Sequence, residues 1–281
     1  MNKKILGTLA LLMLLPSFSF AQDDDFGVDL GVSAEKKLTK GVNLEAELGV
    51  RTQDNSKEVE RWSAGLGLDF KLYSSASKKF DLKASAGWEY IWQNKLTEIE
   101  NKFNGAYVDM DTWVPDAWNG YNKTPGFWRG RHRTSLGLSA GFKPNKRWSF
   151  SWKETVQYNH YCTTDSLDVF KYRKQYNDDN QEINPKEEWS RKGGKDSRDR
   201  FVLRSKVSAQ YDIKLCPLAP FASVDYGCGL NYTANKWKLS VGSDFKIDKQ
   251  NKLTFYYRFQ TEDDDDEPNG HIFGVGYNHK F

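Results

Sequence analysis

Apolar and polar residues alternate with period two through most of the chain. Val42, Leu44, Ala46, Leu48 and Val50 are separated by Asn43, Glu45, Glu47 and Gly49. A β-strand sends successive side chains to opposite faces, so one face of this stretch is apolar and the other polar. Trp62, Ala64, Leu66, Leu68, Phe70 and Leu72 repeat the pattern, and so do Phe80, Leu82, Ala84, Ala86, Trp88, Tyr90 and Trp92. Further members are 26–34, 136–142, 148–158, 201–213, 237–247, 253–259 and 273–281, with 222–228 a weak one. Together these are eleven segments, most near ten residues long. Strands that cross a membrane need about 9–11 residues, whereas soluble strands usually have ~5–6. No segment sustains a helical period.

The connections alternate between short and long. Residues 37–41, 74–79, 143–147, 214–219 and 248–251 are short turns, while 93–127 and 162–197 are long loops. Short turns at one rim and long loops at the other are a property of transmembrane β-barrels. Trp62, Trp92, Tyr158, Trp237 and Phe259 fall beside the long connections, and Phe70, Phe80, Phe142 and Trp148 beside the short ones. Two aromatic belts are expected where a barrel meets the two lipid–water boundaries. The predicted fold is all-β: a transmembrane antiparallel up-and-down β-barrel of about 10–12 strands with two long extracellular loops. Bacterial single-chain barrels have even strand numbers. The odd count of segments therefore predicts a twelfth strand hidden in 93–127, in preference to ten.

Composition removes the competing classes. Hydrophobic residues make up 38% of the 281, too few for a helical membrane protein. Aromatics at 15% are too many for a disordered chain, and a net charge of +3 does not indicate a nucleic-acid partner. Residues 1–21 read as a secretory signal peptide: Lys3 and Lys4, an apolar stretch, then Ser19 and Ala21 as the small residues before the cut. The barrel then occupies 22–281 and the expected location is the bacterial outer membrane. Three cysteines make no disulfide framework. Cys216 and Cys228 lie at opposite ends of one segment, beyond bridging range.

The chain ends in Gly274-Val275-Gly276-Tyr277-Asn278-His279-Lys280-Phe281, a terminal Phe on an alternating strand. This resembles the signal by which outer-membrane barrels reach the barrel assembly machinery. The pairs Arg131/Arg133 and Arg200/Arg204, and the run Tyr256-Tyr257-Arg258, resemble motifs of outer-membrane barrels filed under a domain of unknown function. The resemblance implies outer-membrane lipids and the assembly machinery as partners, the latter through Phe281. It implies no activity.

The polar face is the candidate functional surface. Arg131, Arg133, Arg200, Arg204, Lys206 and Arg258 are candidates for an anion track, since guanidinium and ammonium groups bind carboxylates and phosphates. A barrel of this size filled by paired charges, with no channel, is the competing reading. Across the turn 74–79, pairing Lys71 with Asp81 would set Asp69 opposite Lys83, two lumen ion pairs. A lipid-modifying enzyme would need a Ser/His pair on one face. His132 and Ser135 are three apart and point to opposite faces, and no other histidine has a serine one strand step away, so no catalytic residue is assigned. The run 262–267 lacks the ligand spacing of a calcium loop. No cofactor or metal is expected. Glu154 falls on the apolar face between Trp152 and Val156, where a carboxylate is unfavourable unless a bulge turns it inward or a partner covers it. The leading expectation is a non-enzymatic structural, surface or narrow-pore barrel. An anion-preferring oligosaccharide or small-solute porin comes second and a lipid-modifying enzyme third.

Overall fold

A computed structural model describes residues 25–103, 105–107, 113–114, 117–176, 182–183, 186–263 and 269–281. The signal-peptide segment 1–21 and residues 264–267 of the acidic run lie outside them. The strands are β1 Asp25–Thr39, β2 Val42–Gln53, β3 Glu58–Ser74, β4 Phe80–Lys95, β5 Glu98–Lys102, β6 Ala106–Tyr107, β7 Trp113–Val114, β8 Gly120–Thr124, β9 Phe127–Phe142 and β10 Trp148–Tyr161. They continue with β11 Thr164–Arg173, β12 Gln175–Tyr176, β13 Glu182–Ile183, β14 Glu188–Lys195, β15 Arg198–Tyr211, β16 Leu218–Gly229, β17 Asn235–Lys246, β18 Asn251–Glu262 and β19 Gly270–Lys280.

Eleven of these close into a barrel in the order β1-β19-β18-β17-β16-β15-β10-β9-β4-β3-β2. Each alternating segment of the sequence corresponds to one wall strand. The expected twelfth strand is not in the wall among the described residues. The odd number closes instead because β1 and β19 run parallel, Asp25 beside Gly270 through Glu35 beside Lys280. Every other neighbouring pair in the wall is antiparallel.

The long loops are not irregular. β14, β11, β8 and β5 form a four-stranded sheet in that order. The order copies their wall neighbours β15, β10, β9 and β4, so this part of the wall is interrupted for two residues and then continues beyond the rim. Its sequences, such as Glu98-Ile-Glu-Asn-Lys102, do not alternate, because this sheet has no lipid on one face.

The alternation sorts faces as the sequence implies. Leu48, Leu66, Leu136 and Val207 are more than half exposed on the outer surface, where a soluble protein would bury them. Trp62 lies directly opposite Trp92 near the long-loop rim. Phe80 lies opposite Phe142 at the short-turn rim. Glu154 stays on the outer face, with unbroken register to both neighbours and no bulge. Its two oxygens accept hydrogen bonds from Trp152 Nε1 and Ser205 Oγ, each at 2.7 Å. These two donors offset the cost of setting a carboxylate there.

One row of inner residues stitches the closure. Phe221, Gly242, Tyr256, Gly274, Asp29 and Arg51 are consecutive partners across β16, β17, β18, β19, β1 and β2. A Cβ on Gly274 would lie 2.0 Å from the Tyr256 ring, so that ring lies over the glycine. The Tyr256 hydroxyl thereby crosses β19 and donates to Asp29 Oδ2 at 2.9 Å, and Arg51 Nη2 donates to the same oxygen at 2.9 Å. Replacing Gly274 by Val should evict the ring and cost ~1–3 kcal/mol through overpacking. Tyr256→Phe should lose a charge-assisted bond worth about 1.5–3 kcal/mol. Guanidinium melts in detergent, read by the heat-shifted gel band of a closed barrel, check both. An unchanged midpoint in both variants would remove the seam from the account of closure.

Candidate functional site

Inner-facing residues enclose a mid-lumen cavity of about 580 Å³. Its space comes from glycine: Gly31, Gly49, Gly65, Gly67, Gly87 and Gly276 all line it. Five of the six belong to β1–β4. A wall without side chains leaves room that an eleven-strand barrel would otherwise fill. Charges of both signs line it, unevenly. Asp29, Glu45, Glu47, Asp69 and Glu89 lie on β1–β4 together with Arg51 and Arg61, while Arg133, Lys153, Arg204, Lys206, Lys238 and Arg258 come from β9–β18 together with Asp225.

The long-loop end of the lumen is packed. Arg129, Arg131, Asn159 and Tyr161 are all buried there. The guanidinium carbons of Arg129, Arg131, Arg198 and Arg200 lie 5.4, 5.3, 4.6 and 5.7 Å from the centre of the Tyr161 ring. Such contacts favour a cation over an aromatic face. Arg131 Nη1 also donates to the Tyr161 hydroxyl at 2.9 Å. Below this layer, Arg133 spans Glu89 and Asn159, each at 3.0 Å.

The predicted track residues all face the lumen but serve different ends. Arg131 and Arg200 belong to the tyrosine layer. Arg133 pairs with Glu89, Arg204 with Asp225 and Arg258 with Asp29. The directly opposed pairs expected across the turn are not formed. Lys71 lies opposite Lys83, Asp69 opposite Ser85, and Asp81 opposite Ser74. The same expected register would set Trp62 beside Tyr90 and Phe70 beside Leu82 on the outer face; instead Trp62 meets Trp92 and Phe70 meets Ala84. The register is displaced by two residues, which preserves faces but changes every partner. A bulge at Leu72 shifts the register by one more residue between this stretch and the turn, which the sequence pattern does not reveal.

Outside the lumen, strand pairing builds a contact that reading one strand at a time misses. His160 Nδ1 lies 2.8 Å from Asp199 Oδ1, which also accepts from the Tyr158 hydroxyl at 2.8 Å. No serine hydroxyl bonds His160 among the described residues. Cys162, Cys216 and Cys228 are free.

No protein-family model matches the chain, and no curated protein matches it. Among solved structures, the beta domain of the Bordetella autotransporter Brka is similar to it, with 12% identity over 86% of this chain and 82% of that one and a TM-score of 0.40. At that level the likeness carries no argument about role. The barrel is established by its own strand pairing.

The sheet beyond the rim is held by exposed polar contacts. Asp168 accepts from Lys192 at 2.6 Å and from Trp189 Nε1 at 3.0 Å, and these bonds hold its carboxyl below the usual value of 3.8. Hydrogen bonds from the Tyr121 hydroxyl, then from Lys123, lower Glu187 from 4.5. A lowered carboxylate contributes stability that is present above its unfolded pKa and is lost as pH falls through the folded one. The sheet should therefore loosen in acid, below about pH 4, while the barrel stays closed. Tryptophan fluorescence, with a Trp189→Phe control, reports this. A signal unchanged down to strong acid would show that these contacts do not order the sheet.

Proposed function

We propose that the chain is a non-enzymatic integral barrel of the bacterial outer membrane, with a narrow polar lumen closed at rest on its long-loop side. The outward apolar belt, the aromatics at both rims and the terminal Phe281 support that location. The observation that carries the closed lumen is the buried arginine layer around Tyr161, which fills the bore above an otherwise open chamber. Outer-membrane lipids contact the belt, and the assembly machinery receives the last strand. The four-stranded sheet gives the barrel a raised surface outside the membrane. The His160–Asp199 contact supplies a base and its orienting carboxylate, but acyl transfer also needs a nucleophile on that base.

A second reading, an anion-preferring small-solute pore, is favoured by one observation: on the β9–β18 side of the chamber six basic residues face a single acid, Asp225. Conductance in planar bilayers decides between the two. The closed reading expects no steady current from the native barrel. Truncating the layer, as in Arg131→Ala with Tyr161→Ala, should open channels that favour anions. Large steady steps from the native protein would sink the closed reading. Cation preference in the opened variant would sink the anion pore.

A further inference from the structure

One row of the wall gathers lysines that lie far apart in the sequence. Lys71 on β3 is opposite Lys83 on β4, Lys83 is opposite Ser139 on β9, Ser139 is opposite Lys153 on β10, and Lys153 is opposite Lys206 on β15. Adjacent strands are ~4.8 Å apart, so the two ammonium groups of each opposed pair can converge on one small group. Like charges placed directly opposite each other are unfavourable. Elsewhere in the lumen a carboxylate answers the cation, as Glu89 answers Arg133 at 3.0 Å and Asp29 answers Arg51 at 2.9 Å. None of these four ammonium groups makes an ion pair or hydrogen bond with a described residue. Asp225, directly opposite Lys206 in the row, is bonded by Arg204 and attracts the Lys206 ammonium through space without a direct ion pair. Glu45 acts on Lys153 only at a distance, through the lumen.

The row also has a direction. Lys71 and Lys83 lie near the short-turn rim, three or four residues from the turn between β3 and β4. Lys153 and Lys206 line the mid-lumen cavity. The short-turn end is opposite the arginine layer.

We propose that this row binds a soluble phosphoryl-bearing solute, which enters past Lys71 and Lys83 and is held between Lys153 and Lys206. Two converging ammonium groups match a single group that carries two negative charges. A phosphoryl monoester carries about −1.5 to −2 near neutral pH and offers three acceptor oxygens, whereas a carboxylate carries one charge. Lysine suits this as a compact point charge. The Ser139 hydroxyl adds a donor between the pairs. Lys71 and Lys83 raise the local anion concentration at the mouth and so act on the rate of entry. The proposal rests on the barrel reading of the lumen but not on conduction.

The full chain, refolded in non-ionic detergent, is titrated calorimetrically with inorganic pyrophosphate. Saturable binding is expected. Lys153→Gln with Lys206→Gln should weaken it about tenfold or more, as loss of charge-assisted bonds requires. Because that change also removes a like-charge contact, the variant should melt no lower than the native barrel. Lys71→Gln with Lys83→Gln should slow association in stopped flow and leave dissociation nearly unchanged. Lys57→Gln, at the other rim, should change nothing. Glycerol phosphate should compete, and phosphatidic acid in the micelle should not; competition by the lipid would overturn entry through the lumen. Heat-shifted migration checks each sample separately for a closed barrel. No saturable binding by a closed barrel, or equal affinity in the Lys153/Lys206 variant, overturns the proposal and leaves the barrel reading standing.

Discussion

An up-and-down sheet of eleven strands brings its first and last members together running the same way, so closure here requires a parallel pair. Parallel pairing is slightly less stable per residue than antiparallel pairing, and β1 and β19 lie at opposite ends of the chain. The inner row from Phe221 to Arg51 offsets that weakness. It places glycines at 242 and 274 so that the rings of Phe221 and Tyr256 can lie flat across the neighbouring strand. Tyr256 then reaches over β19 to Asp29, tying β18 to β1 past the parallel pair. Arg51 and Arg258 meet the same carboxylate, so a single acidic residue gathers three strands at the seam. A free sheet edge in lipid would expose backbone groups with no partner, which makes this contact the condition for everything else.

Much of the wall was legible in the sequence because lipid imposes one rule on every strand: apolar outside, polar inside. That rule located all eleven segments and fixed which residues face the lumen, Arg131, Arg204 and Arg258 among them. It contains no information about partners. Any displacement by an even number of residues leaves faces unchanged, so Lys71 could be read against Asp81 when the barrel sets it against Lys83. The bulge at Leu72 has no signature in the alternation, since Leu72 and Tyr73 are both large, apolar in body and exposed at the rim. The parity rule misled for a different reason. It describes what antiparallel closure demands, and this chain closes otherwise. β5, β8, β11 and β14 escaped notice because both faces of their sheet meet water, and without a buried face the period-two signal is absent.

The lumen combines two kinds of vacancy that arise from different residues. On β1–β4 the space is steric: glycines on facing strands, such as Gly31 beside Gly49 and Gly67 beside Gly87, leave the wall bare. On β9–β15 the vacancy is electrostatic, since Lys153 and Lys206 oppose each other while Asp225, the acid opposite Lys206, is bonded by Arg204. Arginine and lysine divide the work accordingly. Arg51, Arg133, Arg204 and Arg258 use planar guanidinium groups to hold fixed carboxylates. Lys153 and Lys206 face the cavity as compact point charges.

This division explains why the chamber lies where it does. Toward the long-loop rim, arginines stack on Tyr161 and fill the bore with flat groups that pack tightly. Lower down, among the paired charges, glycines have no side chain to contribute and Lys153 and Lys206 oppose each other without a direct ion pair. A barrel of eleven strands is only modestly wider than one that side chains fill completely. Whether it holds a plug or a chamber at a given height therefore depends on the few residues that register brings to that height. The Leu72 bulge belongs to this argument. It adds one residue to β3 just before the turn; if the turn-side register of Tyr73 with Leu82 ran on unbroken, Leu72 and not Lys71 would lie opposite Lys83. One extra residue at the rim thus decides whether the approach to the chamber presents an apolar side chain or a pair of cations.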